Sequence, residues 1–135
     1  MKQLKSKYLF VYGTLLQDCN NEMSQFLEQH AEFVGKGFFC GRLYDVNEFP
    51  GAVSSSDMSK KVYGSIYKIT NQELVFKVLD EYEGIAAEQT DLDLFKRIIV
   101  EAYMEAGHTV KTWVYEYNLP TLNLRLIPSG RYLES

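Results

Sequence analysis

Tyr8-Leu9-Phe10-Val11-Tyr12-Gly13-Thr14-Leu15 is the stretch on which the fold turns. Five consecutive aromatic or apolar residues running into a glycine read as a buried strand followed by a tight turn. Two readings of that turn are open. Glycine permits backbone angles closed to other residues, so successive exposed N–H groups can form a small nest for a carboxylate or a developing oxyanion. The plainer reading is a turn that only reverses the chain. A phosphate-binding loop is excluded, because the required run of glycines ending in lysine is absent.

Beyond this strand, residues 20–30 are a short helical candidate, with Met23, Phe26 and Leu27 on one face and Asn20 or Asn21 as cap. Phe33 to Tyr44 is aromatic and apolar but interrupted by Gly35, Gly37 and Gly41, the pattern of one or two strands with a bend or bulge. Pro50 and Gly51 mark a turn, Ser54 to Ser59 is a polar connection, and Val62 to Ile69 returns to strand chemistry. Tyr63, Ser65 and Tyr67 share one face of that last segment, which makes the face partly polar or ligand-facing.

Thr70 followed by Glu73 fits a capping box, and Val75, Phe76, Leu79 and Tyr82 recur at helical spacing up to a stop at Gly84. Ala86 to Leu94 is acidic and aperiodic, a loop. Lys96 to Tyr103 and Thr109 to Tyr117 are strands joined through Gly107, an antiparallel hairpin. Pro120, Pro128 and Gly130 break the remaining tail. The order is mixed and non-repeating, and 135 residues suit one domain over residues 1–135.

Composition narrows the function classes. Eighteen acidic side chains against 14 Lys and Arg give a net charge of -4, without the concentrated positive footprint that nucleic-acid binding requires. The two cysteines, Cys19 and Cys40, carry no paired motif, so a disulfide scaffold has no support and a reducing cytoplasm is the expected compartment. The apolar run at residues 8–16 is too short to span a bilayer. His30 and His108 do not stand at metal-ligand spacing with the cysteines, so no metal site is expected.

Among candidate chemical groups, Glu83 lies four residues after Leu79 and seven after Phe76, on an otherwise apolar helical face. Burial there raises the proton affinity of a carboxylate and suits it to general acid–base work. A last-turn Glu reaching solvent is the bland alternative. Asp80, three residues earlier, is a supporting group or a solvated charge. Arg97 and Arg42 are each either a bidentate clamp for an acidic substrate or a surface ion pair. Tyr115 is either a pocket wall with an orienting hydroxyl or one more packed strand aromatic. Ser65, His30 and Asp80 make no convincing hydrolase triad, since no nucleophile elbow surrounds the serine.

Taken together, Phe10 to Leu15, Gly41 to Tyr44 with Pro50 and Gly51, Val62 to Tyr67, Leu79 to Gly84, Trp113 to Tyr115, and Ile127, Ser129 and Gly130 resemble, in order, the motifs of the gamma-glutamylcyclotransferase-like family. The likeness is greatest to its bacterial branch of small single-domain members. It implies an α+β fold, a curved barrel-like mixed sheet with a few short helices around a cavity. It also implies Glu83 as the catalytic acid/base, with Tyr12, Gly13, Thr14, Leu15, Tyr115 and Arg97 as substrate-binding residues. The implied chemistry releases 5-oxoproline and a free amine from a gamma-glutamyl amine or peptide without metal or cofactor, in a monomer or weak homodimer. Phe95 stands two positions before Arg97 where a tyrosine is common in relatives, and Arg131 follows Gly130 where an acidic residue is common. These departures bear on substrate selection. The alternatives are gamma-glutamyl transfer or removal in a specialised pathway, a non-catalytic module binding a gamma-glutamyl metabolite, or a structural partner.

Overall fold

The computed structural model describes residues 7–12, 22–46, 50–57, 59–82 and 95–130. Along the chain come β1 (Tyr8–Val11), α1 (Glu22–His30), β2 (Ala31–Asp45), β3 (Pro50–Ser54), β4 (Lys61–Ile69), α2 (Gln72–Tyr82), β5 (Phe95–Met104), β6 (Thr109–Tyr117) and β7 (Arg125–Leu126). The strands β2, β4, β1, β6 and β5 follow one another side by side, and β5 pairs back onto β2. That last pairing closes the sheet into a barrel, so the fold is α+β with a closed, mixed barrel-like sheet and short helices, as expected.

Why β1 reads as a continuous apolar run is now explicit. Leu9 and Val11 face outward into a core with Leu27 of α1 and Val75, Phe76 and Leu79 of α2. Phe10 and Tyr12 face inward with Phe39, Leu43, Val62, Ile66 and Val114. A strand buried on both faces has no polar side, so alternation disappears. Inside the barrel, the rings of Phe10 and Phe39 meet edge to face at 5.0 Å.

β2 is a single strand of 15 residues, with its irregularity between Phe33 and Gly35. Through Cys40 it pairs with β4, and from Gly41 to Asp45 it pairs with β3. Closure depends on close approach at Gly37, which lies opposite Gly64 on β4 and Met104 on β5. A Cβ at Gly37 would sit 2.4 Å from the Tyr103 carbonyl oxygen, and one at Gly64 would sit 2.1 Å from that of Val11. Only glycine leaves room for the crossing backbones.

Three local expectations are corrected. Pro50 and Gly51 begin β3 rather than a turn, because Pro50 occupies the first position of a strand on the sheet's periphery, where a missing N–H is tolerated. The cap of α2 is Asn71, whose Oδ1 accepts from the Leu74 N–H at 3.2 Å. Thr70 instead donates its hydroxyl to the His30 carbonyl at 2.8 Å and ties the end of α1 to the end of β4. The tail after β6 also contains the short strand β7, docked on Tyr44 and Asp45 of β2. The proposed α1 caps Asn20 and Asn21, the stop at Gly84 and the 86–94 loop lie outside the described residues.

Candidate functional site

Topology gathers four segments at one end of the barrel. β1 runs parallel to β6, with Leu9 opposite Trp113, so the end of β1 lies level with the end of β6. β5 runs antiparallel to β6 and begins there, with Arg97 directly opposite Tyr115. The last turns of α2 cover the outward face of those strands through Phe76 and Leu79.

At that end Asp80 holds two of the residues under consideration. The Tyr115 hydroxyl donates to Asp80 Oδ1 at 2.6 Å, and Arg97 Nη2 donates to Oδ2 at 3.3 Å. Arg97 Nε lies 3.2 Å from Oδ1, close enough for ion pairing but out of line for a hydrogen bond. Only 26% of the Asp80 side chain and 27% of the Arg97 side chain remain accessible, so their attraction is less screened than at an open surface. The guanidinium also lies 4.1 Å from the Phe76 ring centroid and 4.9 Å from that of Trp113. Arg97 is thus held by a carboxylate and two ring faces, an arrangement that fixes both its charge and its plane.

Tyr12 joins the same structure from inside the barrel. Its hydroxyl donates to the Tyr115 carbonyl and accepts from the Ala52 N–H at 3.2 Å. The ring is buried among Phe39, Leu43 and Val62 and their neighbours. Tyr115 therefore bridges β1 through its backbone and α2 through its side chain.

Of the expected site residues, Tyr12, Tyr115 and Arg97 come together, whereas Gly13, Thr14, Leu15 and Glu83 lie outside the described residues. Asp80, read as a supporting or solvated group, is the hub of the described cluster, a role that spacing alone could not assign. Phe95 packs its ring edge to face with Tyr117 at 5.8 Å, on the same side of the hairpin as the Arg97–Tyr115 pair. Arg42 takes the surface-pair reading: Nη2 is 3.6 Å from Asp57 Oδ2, and Nη1 donates to Ser55 Oγ at 3.3 Å. The Tyr63, Ser65, Tyr67 face is not uniformly polar, because Tyr67 is buried beneath the helices and Tyr63 lies beside Phe38. Among the described residues, no cluster of three His, Cys, Asp or Glu is arranged to hold a metal ion.

A second polar group was missed altogether. Glu116 is 7% exposed on the inward face of β6, where it accepts from both the N–H and the hydroxyl of Ser54 at 2.7 Å. Its other oxygen lies 3.4 Å from Lys96 Nζ, directly opposite in the hairpin. The available signal was a charge in phase with Thr112 and Val114 on an otherwise buried strand face.

Comparison with known proteins agrees with the architecture. Residues 9–134 match the family described as gamma-glutamyl cyclotransferase, AIG2-like. An AIG2-like protein from mouse is 25% identical, with a TM-score of 0.67 over 90% of this chain and 86% of that one. Protein ytfP from Escherichia coli is 26% identical, with a TM-score of 0.61 over 94% of this chain and 96% of that one. YkqA from Bacillus subtilis shares the fold at a TM-score of 0.70 and 22% identity, over 95% of this chain but only 40% of that protein's length. No curated protein matches the chain. With the closed barrel in place and the family match covering nearly all of it, the chain belongs to the gamma-glutamyl cyclotransferase, AIG2-like family.

Proposed function

We propose that this chain is an enzyme that releases 5-oxoproline and a free amine from a gamma-glutamyl amine or peptide, with Glu83 as general acid/base. The observation that carries this reading is the double use of Tyr115. Its carbonyl accepts from Tyr12, the residue before Gly13, and its hydroxyl donates to Asp80, three residues before Glu83. Three residues of chain span at most about 11 Å, so the chain leads to both the loop and the carboxylate that the family chemistry needs from partners of one residue.

In the reaction, the substrate's α-amine attacks its own γ-carbonyl. Glu83 takes the proton from that amine as the new C–N bond closes the five-membered lactam. It then returns the proton to the departing amine nitrogen as the original amide bond breaks. Intramolecular attack supplies proximity, and backbone N–H groups of the Gly13 and Thr14 turn polarise the carbonyl or hold the α-carboxylate. Tyr12 and Tyr115 frame the gamma-glutamyl portion, and Arg97, its plane set by Asp80, offers its remaining N–H donors to the substrate carboxylate. The proposal places the protein in the bacterial branch of small single-domain members, acting on a small molecule in the cytoplasm as a monomer or weak homodimer.

Mass spectrometry of products from a panel of gamma-glutamyl amines and peptides, with Glu83→Gln in parallel, tests the reading. Formation of 5-oxoproline by the native chain and its loss in the variant is the expected outcome. A folded native protein that yields no product across the panel would sink it in favour of transfer or binding without turnover.

A further inference from the structure

The edge of β3 that faces away from β2 is satisfied by side chains instead of a neighbouring strand. Ala52 and Ser54 point their N–H groups the same way, as residues two apart in a strand must. The Ala52 N–H goes to the Tyr12 hydroxyl and the Ser54 N–H to Glu116 Oε2, with the Ser54 hydroxyl on the same oxygen. Between these pegs and the start of the strand, the Tyr117 ring packs so closely on Gly51 that a Cβ there would sit 2.9 Å from its Cγ. The backbone ladder of β3 is made with β2 alone, at Gly41 to Asp45. What presses it onto β1 and β6 is therefore these contacts, and Glu116 supplies the only charged one among the described residues.

We infer that Glu116 is a positioning residue: by clamping Ser54 it holds β3 across the end of the barrel, and through Ala52 it fixes the Tyr12 hydroxyl. This inference rests on the proposed role of Tyr12 beside the substrate-binding turn. Lys96 faces the buried carboxylate from the opposite strand, its Nζ 3.4 Å from the oxygen that Ser54 leaves free. Two donors on one carboxylate oxygen make a stiffer peg than either alone, and the second peg is one residue pair along the same edge.

The test combines amide hydrogen exchange with saturation kinetics in Glu116→Ala, Glu116→Gln, Ser54→Ala and Tyr12→Phe. Loss of the charged acceptor in Glu116→Ala should speed exchange of the Ala52 amide about tenfold or more, while Phe10 and Ile66 in the barrel wall stay protected. KM for the preferred gamma-glutamyl amine should rise about tenfold while kcat changes less than about threefold, the signature of lost binding alignment. Glu116→Gln keeps an oxygen for both Ser54 donors and should recover most of the protection and of KM. Ser54→Ala, which retains the N–H bond, should fall between, and decides the matter if Glu116→Ala does not fold. Unchanged Ala52 exchange in both Glu116→Ala and Ser54→Ala, or a fall in kcat with KM constant, would overturn the inference. Exchange requires no turnover. If the native chain forms no product, the proposed reaction fails, while non-additive effects of Glu116→Ala and Tyr12→Phe on Ala52 exchange would still support the clamp and additive ones would refute it.

Discussion

Tyr115 and Asp80, 35 residues apart in sequence, meet through a 2.6 Å hydrogen bond that fastens the last described turns of α2 to the open end of the β5–β6 hairpin. The same carboxylate neutralises Arg97, so the hydroxyl and the guanidinium share one acceptor group. Asp80→Asn should destabilise the fold by about 1–3 kcal/mol, because it leaves a largely enclosed cation without its counter-charge. Tyr115→Phe should cost about 1 kcal/mol. Urea unfolding of both single variants and the double variant measures the coupling, and strictly additive losses would show that the two bonds act independently.

Glu83→Gln should leave the urea midpoint nearly unchanged and lower the rate of 5-oxoproline formation by at least about a hundredfold, the usual contribution of a positioned acid/base. Retention of half the native rate would remove Glu83 from the proton transfer and turn attention to Asp80.

Barrel closure at Gly37 makes a sharper structural prediction. Gly37→Ala and Gly64→Ala each force a methyl against a carbonyl oxygen that belongs to a paired strand and cannot swing aside. Each should cost about 1–3 kcal/mol or more, read as a fall of several degrees in Tm by calorimetry. A Gly37→Ala protein with native Tm would mean that β2 and β5 separate more easily than their register indicates.

Asp57 contributes to the acid limb of the stability curve. Its carboxylate accepts from the Ser59 hydroxyl at 2.7 Å and the Ser59 N–H at 3.0 Å, and these bonds, with Arg42 and Lys60 nearby, hold its pKa below the ordinary value of 3.8. A carboxyl group with a depressed folded-state pKa contributes stability that is complete above its unfolded value and is lost as pH falls through the folded one. Asp57→Asn should therefore flatten the pH dependence of unfolding below pH 3.8 and leave the slope near neutrality unaltered. An unchanged acid slope in the variant would show that the Ser59 bonds do not persist in solution.

The cap of α2 separates local pattern from actual geometry. Asn71→Ala should destabilise the protein by about 1 kcal/mol, because Leu74 loses its acceptor. Thr70→Val should act instead on the joint between α1 and β4, seen as faster exchange of the Thr70 amide, whose acceptor is the His30 carbonyl. If only Thr70→Val lowers the helical signal on heating, the capping box is restored.

Most of the elements were legible because their determinants are local. Apolar periodicity located α2, the hairpin of β5 and β6 followed from two strand patterns around Gly107, and the unbroken run at Tyr8 to Tyr12 marked a strand that would be buried. Resemblance of ordered motifs then pointed to the family and to Glu83. Pro50 and Gly51 misled because turn residues also open strands, and whether they do depends on a partner elsewhere in the chain, here the far end of β2.

The sequence by itself determined the mixed order of strands and helices, the motifs whose resemblance implies the α+β class, and the aromatic and charged side chains available for a site. Tertiary structure alone decided that Asp80 governs Arg97 and Tyr115, that Tyr12 reaches across to Ala52, and that Glu116 secures β3. The reason is physical: side chains acquire these roles from neighbours 17 to 62 residues away, through hydrogen bonds whose angles and burial exist only once the barrel has closed.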